Sequence, residues 1–347
     1  MSEEPGAELP IDIQDNGGMK PVTTTKQRAN CMHLLNVFGY SAILTTYLIA
    51  TYYGINGKSD ADLYQSYPTL LTPNYKSTQL IWGIIFSFQG LFVFAQFLSR
   101  YRQHMMLEKG VGLMYFGACL FQLISYVTFA YGLMSTSFVF LFGVFVCLIG
   151  LLGRQYQTRR LMEETNSSKD YSNAVIDGNK LQFNPDDGYW LLHFPFAIYA
   201  GWIAAILPLM LSITLVSYNV DSDFLVWVAV VGVSLLTGLS MGLLLRKEDG
   251  IPSYSFPSVI VYFLCGVRFE LEAPCDMILA TYDDAYLSLM KNVSAISAVM
   301  IMVTIVSRFL AVFLSRCVVV HIKRERRERH DNEYDATLGA DYVYVQA

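Results

Sequence analysis

Long apolar blocks separated by polar loops dominate the sequence. Most of these blocks approach or exceed the roughly 20 apolar residues that a helix needs to cross a bilayer, so we predict about eight membrane-spanning helices. They cover residues 33–53, 78–98, 111–133, 136–153, 191–217, 224–245, 254–267 and 292–314. The seventh block is the weakest because it is short. Only a few residues join the third block to the fourth, which predicts an antiparallel helix pair.

One face of the second predicted helix carries aromatic and carboxamide side chains at spacings of four and three residues: Trp82, Phe86, Gln89, Val93 and Gln96. A carboxamide that faces lipid has no hydrogen-bond partner, so this face should point at other helices or at a cavity. Two interpretations follow. The face is either a packing seam with hydrogen bonds between helices, or one wall of a ligand pocket with the polar loop 54–77 folded over it.

The fifth predicted helix has a second aromatic face and an internal proline. The face consists of Phe196, Tyr199, Trp202, Ile203 and Ile206 at helical spacing. Pro208 follows within the same block. Because proline lacks a backbone N–H, we expect a kink there. Kinked membrane helices often line cavities, although many kinks are only structural.

Composition and charge agree with a membrane protein whose two faces differ. Hydrophobic residues make up 54% of the chain and charged residues 15%, which is too little charge to cover a soluble domain of this length. If the chain has eight spans, every basic cluster lies on the same side of the membrane. The positive-inside rule assigns that side to the cytoplasm, and both termini lie on it as well. The clusters are Lys26 and Arg28; Arg100, Arg102 and Lys109; Arg154, Arg159 and Arg160; Arg246 and Lys247; and Lys323, Arg324, Arg326, Arg327 and Arg329.

The two ends of the chain are predicted to be cytoplasmic tails, at residues 1–32 and 321–347. The first is polar, lacks the apolar core of a secretory signal and the arginine bias of a transit peptide, and is expected to be disordered. The plasma membrane or an endomembrane is therefore the expected location. The basic clusters should contact anionic lipid headgroups, and nothing favours nucleic acid as a partner. The six cysteines are scattered and predict neither a disulfide framework nor a zinc site.

Several short motifs, in order through most of residues 33–320, resemble the TspO/MBR family (translocator protein, or tryptophan-rich sensory protein), and in particular its longer branch. They are Ile55-Asn56-Gly57, Tyr67-Pro68, Thr72-Pro73, Ile81-Trp82-Gly83, Phe92 with Gln96, Pro195 to Trp202, and Val259 to Val267. The chain departs from the family pattern at several positions. Gln79 replaces an expected aromatic residue, Tyr262 replaces a tryptophan, and Gln122 and Ser125 stand where asparagine and tryptophan are expected.

The resemblance implies a five-helix core over residues 33–217, whose upper half encloses a hydrophobic ligand beneath the first loop. Residues 218–320 would then form a three-helix membrane extension. The ligands associated with the family are tetrapyrroles and sterols. The resemblance to this family also makes a mitochondrial membrane a compatible location. The implied ligand-binding residues are Trp82, Phe86, Gln89, Phe196, Tyr199 and Trp202 in the walls, with Tyr64 and Tyr67 in the loop that closes over them.

The leading functional hypothesis is a non-enzymatic, TspO-like membrane protein that binds a hydrophobic small molecule, with a sensory or transport-related role. No cofactor is expected apart from a porphyrin-type ligand, and no metal. The alternative is a secondary transporter of a small organic solute, although the spans offer almost no buried carboxylate or histidine for ion coupling. An enzyme is disfavoured because the five histidines are dispersed and no catalytic motif occurs. A homodimer is compatible with the sequence.

Overall fold

The computed structural model describes residues 22–57, 59, 62, 66–98, 101, 106–170, 189–246 and 254–344, and these residues form an all-α bundle. The helices are α1 Val22–Tyr52, α2 Tyr75–Ala95, α3 Met114–Ala130, α4 Met134–Asp170, α5 Phe194–Ser217, α6 Ser222–Leu245, α7 Ser255–Glu272, α8 Asp276–Thr281 and α9 Asp284–Tyr344. Short π-helical turns precede α3 and α5, at Met106–Val111 and Tyr189–His193. All eight predicted blocks form helices in the predicted order, and α8 is a short addition between the last two.

The described helices confirm the predicted class, an all-α integral membrane protein. Six segments are long and apolar enough to cross a membrane: Cys31–Tyr52, Tyr75–Ala95, Met134–Met162, Tyr189–Ser217, Ser222–Leu245 and Asp284–Ser315. α3 is equally apolar but has only 17 residues. α7 has 18 residues and ends with three charged side chains, Arg268, Glu270 and Glu272, so it is more polar than an isolated span.

Besides α4, which continues from the end of its block at residue 153 to Asp170, two helices extend far beyond their predicted apolar blocks. α1 begins at Val22, inside the predicted tail 1–32, and α9 continues as one 61-residue helix through most of the predicted tail 321–347. No proline interrupts either extension, so nothing local ends the helix where the apolar pattern ends. The pattern of apolar residues predicts the part of a helix that contacts lipid. It does not predict how far the helix continues into a polar stretch of sequence. The division into a five-helix core and a three-helix extension stays a prediction.

α5 is the central helix of the bundle and the most buried of them. It packs against α2, α4, α6 and α7, while α9 packs against α6 and α7. α3 and α4 pack against each other across the tight turn at 131–133, as the short connection predicted. Large apolar side chains cover the outside, including Trp227, which is 68% exposed on α6. Such a surface suits contact with lipid, so the bilayer is a partner of this protein.

Two glycines allow the central helix to approach its neighbours closely. Pro208 lies inside α5, and a Cβ atom on Gly232 of α6 would sit 2.7 Å from the proline Cβ. A Cβ on Gly201 of α5 would sit 3.0 Å from the backbone oxygen of Phe256 in α7. A side chain at either position would collide with its neighbour, so these glycines set the distance from α5 to α6 and to α7.

Candidate functional site

A partly enclosed cavity of about 200 Å³ lies at the end of the bundle where the α1–α2 loop crosses it. Side chains from α1 to α5 line it, together with Tyr67, Pro68, Thr72 and Pro73 of the loop and three residues from the α7–α8 region. The pocket is mostly apolar and aromatic, with several hydroxyl and carboxamide groups. This composition is typical of a site for a small organic ligand.

Trp82 is the centre of the aromatic wall and is only 5% exposed. Five rings surround it, with centroid distances of 5.4 to 6.4 Å: Phe86, Tyr47, Tyr126, Tyr199 and Trp202. The Phe86 ring is stacked, and the Tyr199 and Trp202 rings meet Trp82 edge to face. These geometries are the favourable ones for aromatic pairs, so the cluster forms a rigid wall.

Polar atoms at the cavity wall are incompletely paired. The indole Nε1–H of Trp202 and the hydroxyl of Thr51 are buried and have no hydrogen-bond partner within the described protein. By contrast, the hydroxyl of Tyr199 donates to Oε1 of Gln122, at 3.4 Å. A buried polar group left unpaired costs about 1–3 kcal/mol, so a ligand atom that accepts from the indole would recover this free energy.

The predicted site residues fall into four groups. Trp82, Trp202 and Tyr67 line the cavity directly. Phe86 and Tyr199 lie behind the wall, where their rings contact Trp82. Tyr64 lies outside the described residues.

Gln89 and Phe196, the remaining two, do not line the cavity. Tyr115 donates its hydroxyl proton to Oε1 of Gln89 at 3.2 Å, and its ring lies 5.3 Å from that of Phe196. Gln89 is seven residues from Trp82, which places it about 10 Å further along α2, within a solid layer. Their position reflects depth along the helix, because helical spacing identifies the face of a helix and not where along it a cavity ends. Their role in ligand binding stays a prediction.

The polar face of α2 therefore has two roles. Around Trp82 it is a cavity wall. Towards its C-terminal end it is a seam between helices, where Oε1 of Gln96 accepts from Nδ2 of Asn36 at 3.2 Å and lies 3.0 Å from Nδ1 of His33. The packing seam drawn from the sequence describes the Gln96 end of this face, and the ligand pocket at the Trp82 end stays a prediction.

Three lining residues that the sequence did not single out come from the predicted extension: Glu270, Cys275 and Ile278. Nδ2 of Asn74, the N-cap residue of α2, donates to Oε2 of Glu270 at 3.2 Å, and the Asn74 backbone N–H donates to the Gly266 oxygen at 3.0 Å. Burial raises the pKa of the Glu270 carboxyl, and the hydrogen bond from Asn74 opposes part of that rise. Gln79, Gln122 and Ser125, where the chain departs from the family pattern, also line the cavity.

Residues 66–74, the loop segment that crosses the cavity, are attached to the bundle at several points. The side chains of Leu70 and Leu71, within this segment, are buried in the hydrophobic core. The hydroxyl of Tyr282, which lies between α8 and α9, donates to the Pro68 oxygen at 3.2 Å. Burial raises the pKa of Tyr282 to about 12, so its hydroxyl remains a neutral donor at physiological pH.

We expect Tyr282→Phe to loosen the loop segment while leaving the bundle folded. One hydrogen bond is lost, which costs about 1 kcal/mol. Hydrogen–deuterium exchange should speed up in residues 66–74 and stay unchanged in α5. Tyr131→Phe, at a side chain that is 61% exposed in the α3–α4 turn, is the matched control. Equal protection of the loop segment in both variants would contradict the anchoring role of Tyr282.

A family model described as TSPO-like protein matches residues 33–313. The chain belongs to the TSPO-like protein family. The resemblance read from the motifs is thereby confirmed, and the TSPO-like match runs beyond α5 to include α6, α7 and most of the apolar part of α9. No curated protein and no solved structure matches the chain. The TSPO-like region thus contains every residue that lines the cavity.

Proposed function

We propose that this TSPO-like membrane protein binds a hydrophobic small molecule in the cavity beneath the 66–74 loop segment. The observation that supports this most directly is an aromatic cavity whose wall contains a buried, unpartnered indole N–H, that of Trp202. Aromatic rings stabilise a flat apolar ligand without charge, and the indole would fix its orientation through one hydrogen bond.

The size of the cavity restricts the ligand. A volume of about 200 Å³ is smaller than the roughly 300–1,000 Å³ of pockets that enclose drug-sized molecules. With the loop segment closed, a compact ring system fits. The tetrapyrrole and sterol classes implied by the family are larger, and we propose that they bind only when this segment opens.

Transport of a small organic solute is the second candidate. Pro208 lies in α5 immediately before Leu209 and Met210, which both line the cavity. A proline within a helix is a natural bending point, and bending there would alter the cavity wall. Ligand-dependent flux across proteoliposome membranes would support this candidate function. Saturable binding without flux would instead support a binding or sensory role.

Ligand titration of the detergent-purified protein tests the proposal. Protoporphyrin and the smaller 2-naphthol are the two probes, with binding followed by tryptophan fluorescence and by equilibrium dialysis. We expect saturable binding of at least one probe, weakened about tenfold by Trp202→Phe, which keeps a ring and removes the N–H donor.

Trp227→Ala is the matched control, because Trp227 lies on the outer face of α6 and is 68% exposed. Its affinity for both probes should equal that of the wild type. Failure of both probes to saturate the wild type would contradict the proposed function. Equal affinity in Trp202→Phe would contradict the hydrogen-bond role of the indole.

A further inference from the structure

We propose that Glu270 makes the cavity selective for ligands with a cationic amine and disfavours ligands with a carboxylate. This inference rests on the proposed function and specifies the chemical class of the ligand. Glu270 is the one formally charged side chain among the described residues that line the cavity. The rest of the wall is aromatic, aliphatic or neutral and polar.

The charge of Glu270 is not neutralised by another side chain in the described part of the chain. Its Oε2 accepts from the neutral amide of Asn74 at 3.2 Å. The neighbouring cation Arg268 pairs instead with Glu272, at 3.2 Å and with half of each side chain exposed. A partly buried carboxylate without a cation is unfavourable, so a positively charged ligand group is the partner that would stabilise it.

The helix ends around Glu270 do not change this conclusion. Glu270 lies in the last turn of α7, whose C-terminal end is partly negative, and its partner Asn74 caps the partly positive N-terminal end of α2. Each helix end carries roughly half a charge, and the two have opposite signs. Their effects largely offset each other, so the full charge of the carboxylate dominates.

The aromatic wall favours the same class of ligand. A cation is attracted to the faces of Trp and Tyr rings, and Trp82, Tyr47 and Tyr126 all line the cavity. A carboxylate on the ligand gains no such attraction and is repelled by Glu270. The combination of one carboxylate with several electron-rich rings is the arrangement that recognises organic ammonium groups.

The two polar groups of the cavity lie beside different turns of α2 and so set the orientation of the ligand. Glu270 contacts Asn74 at the start of α2, and Trp202 contacts Trp82, with ring centroids 6.4 Å apart. Eight residues of helix separate Asn74 from Trp82, which corresponds to about 12 Å. The ligand that satisfies both groups is an aromatic amine: the ring lies against Trp82, an acceptor meets the indole N–H, and the amine reaches Glu270.

Three probes with the same ring test this inference: naphthylethylamine, naphthylethanol and naphthylacetate, which are cationic, neutral and anionic at neutral pH. Equilibrium dialysis against the full-length protein gives the three affinities. We expect the amine to bind about tenfold more tightly than the alcohol, and the acid to bind most weakly. Glu270→Gln should abolish this order while changing the affinity for the alcohol less than about twofold.

Glu272→Gln is the control, because this residue lies on the same helix, pairs with Arg268 and is half exposed. It should leave the order of the three probes unchanged. Equal affinities of the wild type for all three probes would overturn the role of Glu270 and leave the proposed function intact. This comparison needs no variant, so it decides the matter even if Glu270→Gln does not fold. Failure of every probe to bind would overturn the proposed function as well.

Discussion

Trp82→Ala is expected to lower the free energy of unfolding by about 3–5 kcal/mol. The side chain is 95% buried, and five aromatic rings lie around it, from α1, α2, α3 and α5. Alanine would leave a void in the middle of this cluster, and the rings cannot close it because their own helices hold them. Trp82→Phe should lose a smaller part of this stability.

Unfolding in mixed micelles with increasing denaturing detergent measures the effect, with helicity as the signal. Trp227→Ala removes the same side chain from the lipid-facing surface of α6, where it is 68% exposed. That control should differ from the wild type by less than about 0.5 kcal/mol. Equal stability of the two alanine variants would show that the aromatic cluster does not hold the helices together.

Gly201→Leu is expected to lower the free energy of unfolding by about 1–3 kcal/mol. A Cβ at this position would already lie 3.0 Å from the Phe256 oxygen and 3.1 Å from Cβ of Val259. One of these contacts is with backbone, so the conflict cannot be relieved by a new rotamer and α5 must separate from α7. Because α7 carries Glu270 and α5 carries Trp202, the affinity for an aromatic ligand should fall as well.

Gly238→Leu is the matched control for this substitution. Gly238 lies in α6 with nothing within 4 Å of a Cβ atom built on it, so leucine there extends outwards. Leucine also has a higher helix propensity than glycine, so stability should be unchanged or slightly increased. Thermal unfolding in detergent and naphthylethanol dialysis provide the two measurements. A Gly201 variant as stable as the Gly238 variant would contradict a tight crossing of α5 and α7.

The sequence predicted the helices well because membrane insertion depends on long apolar stretches, which are local and visible. It also predicted the buried face of α2, since carboxamides at helical spacing cannot face lipid. Gln89 and Gln96 are both fully buried, as that argument requires. Trp82 and Trp202 were expected to lie close together, and their rings meet edge to face with centroids 6.4 Å apart.

Depth and long-range contacts could not be predicted. Gln89 and Phe196 share helix faces with cavity residues but lie in the solid layer beneath, because periodicity gives direction around a helix and not position along it. Glu270 is a wall residue through a contact with Asn74 across 196 residues of sequence. No local sequence pattern indicates such a contact, because it depends on how α7 packs against the start of α2.

The hydrogen bonds between Asn74, at the start of α2, and α7 have a consequence for the biosynthesis of the protein. The wall from α1 to α5 emerges from the ribosome first, and Glu270, Cys275 and Ile278 follow only after α6 and most of α7 have been synthesised. Membrane insertion of the first five helices therefore yields a site that is still open on one side. The cavity is completed late in biogenesis, when α7 and α8 dock and the Asn74 backbone bonds to Gly266.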